Sequence, residues 1–309
     1  RITGELLFHV ETINPVQCPA QVIGDRVLVA DTGGYVYLLD RDGSVLWRYH
    51  AGGPIYRDPL IHGEQILIGT STDLLVSLSI ETGQWRWSFR PEEVLVRSEL
   101  SVLGSSKPVV HEGKAYMGLS DGRVVCLDAN NGLLQWELQL GKGRFLDVDT
   151  QPVITDEGLL VIGAYSGPLI AVDLATRARA WDIDNGVVGD LLYQYDRVYY
   201  TDGEGELHCL LAEDGHEEWT FKPKGSKELM NSPVGSGRTL MVSMYNGQMF
   251  AIDAFDGSVI WHHEPRKSLL GSGIPPTLAG RQILTLTGDG VVRSFRAPPG
   301  FYDTLDEEP

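Results

Sequence analysis

The chain is 309 residues long, 42% hydrophobic and 22% charged, enough to bury the core of one large all-β domain or two average ones. No run approaches the roughly 18 apolar residues of a transmembrane helix. Asp and Glu outnumber Lys and Arg 42 to 25, and the net charge of −17 argues against a nucleic-acid binder and against docking on an anionic membrane, since both need a basic face.

In chain order, the first element is a strand-like segment, TGELLFHVE (Thr3 to Glu11), with Phe8 near its end. A repeating pattern follows. Each copy has an apolar run, a Gly or Asp turn, a second apolar run, another turn, and an inner strand ending in a motif that closes on Trp. The first copy closes LLDRDGSVLW at Trp47 and the second SLSIETGQWRW at Trp87, with Trp85 two residues earlier on the same strand face. A long linker, RPEEVLVRSELSVLGSS (Arg90 to Ser106), leads to the third copy, Lys107 to Trp136. A second long linker, LGKGRFLDVDTQ (Leu140 to Gln151), leads to the fourth, which closes at Trp181. The fifth closes at Trp219 and the sixth spans Ser232 to Trp261. The stretch Ile274 to Ala297 supplies three further strands without a Trp strand, and residues 298–309 form an acidic tail expected to be flexible.

The closing tryptophans are spaced 40, 49, 45, 38 and 42 residues apart, the period of a four-stranded antiparallel propeller blade. Phe8 takes the Trp place of a seventh copy split between the two ends of the chain, so the N-terminal strand is expected to close the ring and remove its open edges. The expected fold is one all-β, seven-bladed propeller over residues 1–297. Seven blades of about 44 residues suit the length better than eight of about 39.

Catalytic constellations are not found. There is no G-x-S-x-G elbow, no H-E-x-x-H and no phosphate loop. Cys18, Cys126 and Cys209 form no CxxC and read as buried thiols. Adjacent His262 and His263 point to opposite strand faces, and Asp121-Gly122, Asp202-Gly203 and Asp289-Gly290 read as turns rather than calcium ligands. No catalytic residue, metal or cofactor is assigned. The two long linkers are successive and of one type, so they should emerge side by side on one face. Both carry apolar residues where a solvated loop would be polar: Val94, Leu95, Val96, Leu100, Val102 and Leu103 in the first, Phe145 and Leu146 in the second. Such clusters mark an interface.

The closing motif resembles the tryptophan-docking motif of quinoprotein-type propellers, A-x-D-x-x-T-G-x-x-x-W, as in AIDAFDGSVIW and CLDANNGLLQW. The first copy is one residue short, and Arg177 replaces the motif Gly in the fourth. From Leu100 to about Ala297 the chain resembles the BamB family, propeller lipoproteins of the outer-membrane β-barrel assembly machinery. The residues that carry this are ELSVLGSSKPVV, FLDVDTQPVI and AYSGPLIAVDL. The resemblance implies a non-enzymatic scaffold that assists assembly and insertion of outer-membrane β-barrel proteins by binding the POTRA domains of a BamA-like subunit. Unfolded outer-membrane proteins are a second implied class of partner. By position it implies partner contacts at Leu100, Val102, Leu103, Asp147 and Asp149, and the apolar Phe145 and Leu146 of the second linker are assigned with them. Leu103 departs from the family's Arg, and the seven copies depart from the family's eight blades. The implied location is periplasmic, at the inner face of the outer membrane, with any membrane contact made through a lipid anchor outside this chain. The alternatives are a quinone (PQQ)-dependent oxidoreductase and a small-ligand-binding propeller.

Overall fold

A computed structural model describes residues 6, 8–92, 105–140, 147–265, 274–279, 282–286 and 291–296. Leu100, Val102, Leu103, Phe145, Leu146, Asp289-Gly290 and the tail lie outside them. The chain divides into two compact units, Arg1–Pro152 and Val153–Pro309. Among the described residues no helix is long and apolar enough to cross a membrane.

The first unit holds three sheets, each with its strands in sequence order and all neighbours antiparallel. Blade 1 is β1 (Gln21–Ile23), β2 (Arg26–Ala30), β3 (Tyr35–Leu39) and β4 (Val45–His50). Blade 2 is β5 (Leu60–His62), β6 (Gln65–Gly69), β7 (Leu75–Ser79) and β8 (Trp85–Phe89). Blade 3 is β9 (Val109–His111), β10 (Lys114–Gly118), β11 (Arg123–Asp128) and β12 (Leu134–Gln139).

The second unit repeats the arrangement. Blade 4 is β13 (Val153–Ile154), β14 (Leu159–Ile162), β15 (Leu169–Asp173) and β16 (Arg179–Ile183). Blade 5 is β17 (Val188–Gln194), β18 (Arg197–Thr201), β19 (Leu207–Leu211) and β20 (Glu217–Phe221). Blade 6 is β21 (Val234–Ser236), β22 (Thr239–Ser243), β23 (Met249–Asp253) and β24 (Val259–His263). Blade 7 shows three strands, β25 (Thr277–Ala279), β26 (Gln282–Leu286) and β27 (Val292–Arg296). Seven successive sheets of this kind are the blades of a seven-bladed β-propeller.

Burial grades across a blade. In blades 2 to 6 the two middle strands are buried on both faces, so they read as continuous apolar runs such as Leu159–Ile162 and Leu169–Val172. The fourth strand alternates, with its tryptophan turned inward and its neighbours exposed.

The tryptophan is seated by two devices. The first is a β-bulge on the fourth strand, whose extra residue directly precedes the tryptophan. Trp47, Trp87, Trp136, Trp181, Trp219 and Trp261 pair with Leu38, Ser77, Cys126, Ala171, Cys209 and Ala251, and in every case the register shifts at the next residue. Five copies span a turn closed by an N–H bonding the carbonyl four residues back, as Gly83 does to Ser79. The short first copy closes three residues back instead, Gly43 to Asp40, so the missing residue is absorbed in the turn and the pairing is kept.

The second device is a glycine in the following blade. A Cβ on Gly132 would lie 2.4 Å from Trp87, one on Gly83 2.5 Å from Trp47, and on Gly215 and Gly257 2.8 Å from Trp181 and Trp219. The same glycines hold φ between 65° and 74°, so sterics and backbone both demand glycine there. Phe8 stands in this series: a Cβ on Gly43 would lie 2.8 Å from its ring. Trp136 and Trp261 keep the same register in their own sheets, Trp136 beside Tyr116 and Trp261 beside Phe295. Trp85, by contrast, is 57% exposed, whereas Trp87 is 4% exposed.

Each indole also needs an acceptor for its N–H. Trp47, Trp181 and Trp219 donate to the carbonyls of Ile80, Ala212 and Ala254 at 2.9–3.1 Å. The equivalent carbonyl for Trp87 is Ala129, but buried Gln65 donates to it at 2.8 Å while accepting from Ser77, and the Trp87 N–H is left without a partner.

Trp181→Ala should destabilise the protein by about 3–5 kcal/mol, because the ring leaves a cavity that its neighbours cannot fill. Urea denaturation checks this, with Leu133→Ala, at a 63% exposed position, as a control expected within about 0.5 kcal/mol of wild type.

Candidate partner-binding site

The ends of the two long linkers that fall within the described residues meet at one place. On leaving the first linker, Ser106 donates its N–H to the Gly118 carbonyl at 3.0 Å and accepts the Gly118 N–H on Oγ at 2.8 Å. Its neighbour Ser105 donates to the Thr70 carbonyl at 3.0 Å. On leaving the second linker, fully buried Val148 donates its N–H to the Leu119 carbonyl at 3.1 Å. Both exits therefore dock on adjacent residues at the end of β10. The approach is possible because residue 118 has no side chain: a Cβ there would lie 2.3 Å from the Val148 carbonyl oxygen.

A third segment of the same kind, between β4 and β5, ties the two exits together. Arg57 donates from Nη2 to the Asp149 carbonyl at 2.9 Å. Asp58 pairs with Lys107 at 2.6 Å, with both side chains no more than 20% exposed. The two exits are thus fixed against one another through neighbouring residues of one short loop.

Of the residues assigned to partner contact, Asp147 and Asp149 are described. They flank Val148 and are half-buried, and buried Thr150 follows. Leu100, Val102, Leu103, Phe145 and Leu146 lie outside the described residues.

Comparison with known proteins bears on what this arrangement serves. The family model for outer membrane protein assembly factor BamB matches residues 3–221 and 212–300. The chain belongs to the BamB family. The BamB of Yersinia pestis is 27% identical over 282 residues, covering 88% of this chain and 69% of that protein. The BamB of Escherichia coli K12 is 28% identical over 282 residues, covering 89% and 70%. The crystal structure of BamB from Moraxella catarrhalis superposes with a TM-score of 0.78 at 20% identity, covering 92% of this chain and 86% of that one, a likeness of fold.

The remaining residues singled out from this BamB-family sequence fall into place separately. The Asp121 carboxylate accepts the Arg123 N–H at 3.1 Å and the Arg123 guanidinium at 2.7 and 2.9 Å, a turn closed on itself. His262 stacks on Phe250, while His263 stacks on Trp261 and meets Phe295 at a tilt, so the two rings serve different contacts. Asp202 does more than form a turn. Its Oδ1 accepts the N–H groups of Glu204 and Glu206, while Oδ2 faces His208 Nε2 at 3.1 Å. Sequence reading missed this cluster. The available signal was Glu206 and His208 two apart, hence on one face, directly after the Asp202 turn.

All three cysteines are buried and form no disulfide. Burial pushes the Cys18 thiol up to about 11 and the Cys209 thiol up to about 12. Since the thiolate is the reactive form, an aromatic disulfide reagent at neutral pH should find no reactive thiol in the folded protein. The same assay in denaturant should release all three.

Proposed function

We propose that this protein is a non-enzymatic scaffold of outer-membrane protein assembly that binds the POTRA domains of a BamA-like subunit through its two long linkers. The observation that carries the reading is the common anchorage of both linker exits on Gly118 and Leu119, reinforced by Arg57 and Asp58. In this reading it brings two segments separate in sequence to one surface. The family match favours this reading over a quinone-dependent oxidoreductase, because the relatives it gathers are named assembly factors.

In this reading Leu100, Val102, Leu103, Phe145 and Leu146 supply the apolar centre of the contact, and Asp147 and Asp149 supply carboxylates at its border. A partner edge bearing Lys or Arg is the complement, and the net charge of −17 steers the encounter. Unfolded outer-membrane proteins are a second class of partner. The location that goes with these partners is the periplasm, at the inner face of the outer membrane.

Calorimetric titration with the POTRA region of the cognate BamA-like protein tests the proposal. Leu100→Ala combined with Val102→Ala should lose about 2 kcal/mol or more, roughly thirtyfold in affinity, because a few central residues dominate an interface. The melting temperature should stay close to wild type. Undetectable binding by wild type at high micromolar concentration, or wild-type affinity in the double variant, would refute the assignment.

A further inference from the structure

Blade 5 differs from the other blades in the turn that joins its second and third strands. In five blades this turn opens on a residue whose N–H bonds the carbonyl four positions on: Asp31, Thr70, Leu119, Asp202 and Met244. Six positions after each of these stand Tyr37, Val76, Val125, His208 and Phe250. Blade 5 alone among these combines a carboxylate at the opening, a carboxylate four residues on at Glu206, and an imidazole six residues on.

Blade 1 shows what the opening aspartate does without a histidine. Asp31 Oδ1 accepts the N–H groups of Gly33 and Tyr35, both at 3.0 Å, and Oδ2 accepts the Tyr37 hydroxyl at 3.0 Å. Asp202 Oδ1 makes the same two backbone bonds, both at 2.9 Å. Its Oδ2 meets an imidazole nitrogen instead of a hydroxyl, and that nitrogen can coordinate as well as donate.

Both ring nitrogens of His208 face carboxylates: Nδ1 lies 2.8 Å from Glu217 Oε1 on the paired strand β20, and Nε2 lies 3.1 Å from Asp202 Oδ2. A metal ion bound between Nε2 and Asp202 would take the place of a proton there, while Glu217 holds the ring through Nδ1. A histidine held from behind by a carboxylate is the usual support of a metal ligand. Tyr200 stacks on the ring at 4.6 Å with the planes 10° apart and fixes its orientation. Asp202, Glu206 and His208 each bring a ligand atom within 4.8 Å of the others, and the Asp202 and His208 side chains are only 5% and 7% exposed. Two ligands about 2.0–2.1 Å from a tetrahedral zinc ion stand about 3.3 Å apart, close to the 3.1 Å separating Oδ2 from Nε2. The Asn185 amide lies 3.5 Å from both atoms and, turned over, offers its oxygen as a fourth donor. Lys222 pairs with Glu206 at 3.0 Å, but both side chains are at least one-third exposed, so this pair is weak and easily rearranged.

We propose that blade 5 carries a divalent transition-metal site of the zinc class, with Asp202, Glu206 and His208 as ligands and Glu217 as the carboxylate that positions His208. The site is separate from the linkers and does not depend on the partner assigned to them. A bound ion would join the turn before β19 to the strand face of β19, with Glu217 of β20 behind it.

The test uses the untagged full chain stripped with chelator. Titration with ZnCl2 should show one ion per chain and a rise in melting temperature reversed by EDTA, and Co2+ should give visible bands of a low-coordinate site. His208→Gln and Asp202→Asn should lose binding. Glu217→Gln, with all ligands retained, should weaken it by about 10–100-fold. His262→Gln, at an imidazole elsewhere in the unit, should leave it unchanged. Failure of wild type to retain zinc, retention by His208→Gln, or loss on His262→Gln would overturn the proposal. If His208→Gln does not fold, the Co2+ spectrum of wild type decides, and its absence counts against the site.

Discussion

An aromatic ring laid on a glycine turn is the contact on which the blades depend. The indole needs a flat seat, and the turn that provides it must pass through a left-handed backbone conformation. Glycine meets both demands, having no Cβ to collide with the ring and no penalty for positive φ. A bulge on the fourth strand sits directly before the ring, and the ring meets a glycine of the following blade, so the contact links neighbours and does not merely fill a blade. Arg177 measures how strong the backbone demand is. It stands at the motif glycine position of blade 4 and still holds φ at 61°. The turn geometry is kept even where the residue that makes it cheap is absent.

Because the blades are fixed by these contacts, the segments between them are free for other work. The first unit uses that freedom in a particular way. Arg57, Ser106 and Val148 come from three different connections, yet Arg57 bonds Asp149, Ser106 bonds Gly118 and Val148 bonds Leu119, while Asp58 pairs with Lys107 beside Ser106. A surface assembled from separate stretches of chain needs such anchorage, since recognition by a rigid partner penalises every residue that must be ordered on binding. Blade 5 shows a second use of a connecting turn, with His208 set where blades 1, 2, 3 and 6 have Tyr37, Val76, Val125 and Phe250.

Much of this was readable before any coordinates. The closing tryptophans are a local pattern, since each closing motif spans about a dozen positions. Phe8 could be matched to the tryptophans because it keeps the spacing from its own turn. The one-residue deficit before Trp47 was visible too, but its absorption into a tighter turn was not, since spacing says nothing about which carbonyl closes the loop. Gln65 taking the acceptor of Trp87 could not be foreseen, because it needs a register between blades. The bond from Arg57 to Asp149 joins residues 92 positions apart and leaves no trace in any motif. Glu217 behind His208 belongs to the same class, being set by the pairing of β19 with β20.

The anchored linker exits have a consequence for how such a protein can change over time. A segment joining two fixed points costs closure entropy that grows only with the logarithm of its length, about 0.6 kcal/mol for each doubling. The chain between Glu92 and Ser105 can therefore lengthen, shorten or exchange its sequence while the bonds of Ser106 to Gly118 hold the next blade in register. On the reading proposed above, the residues that would meet a partner lie apart from the bonds that hold the blades, so they can change without repaying the cost of folding the propeller.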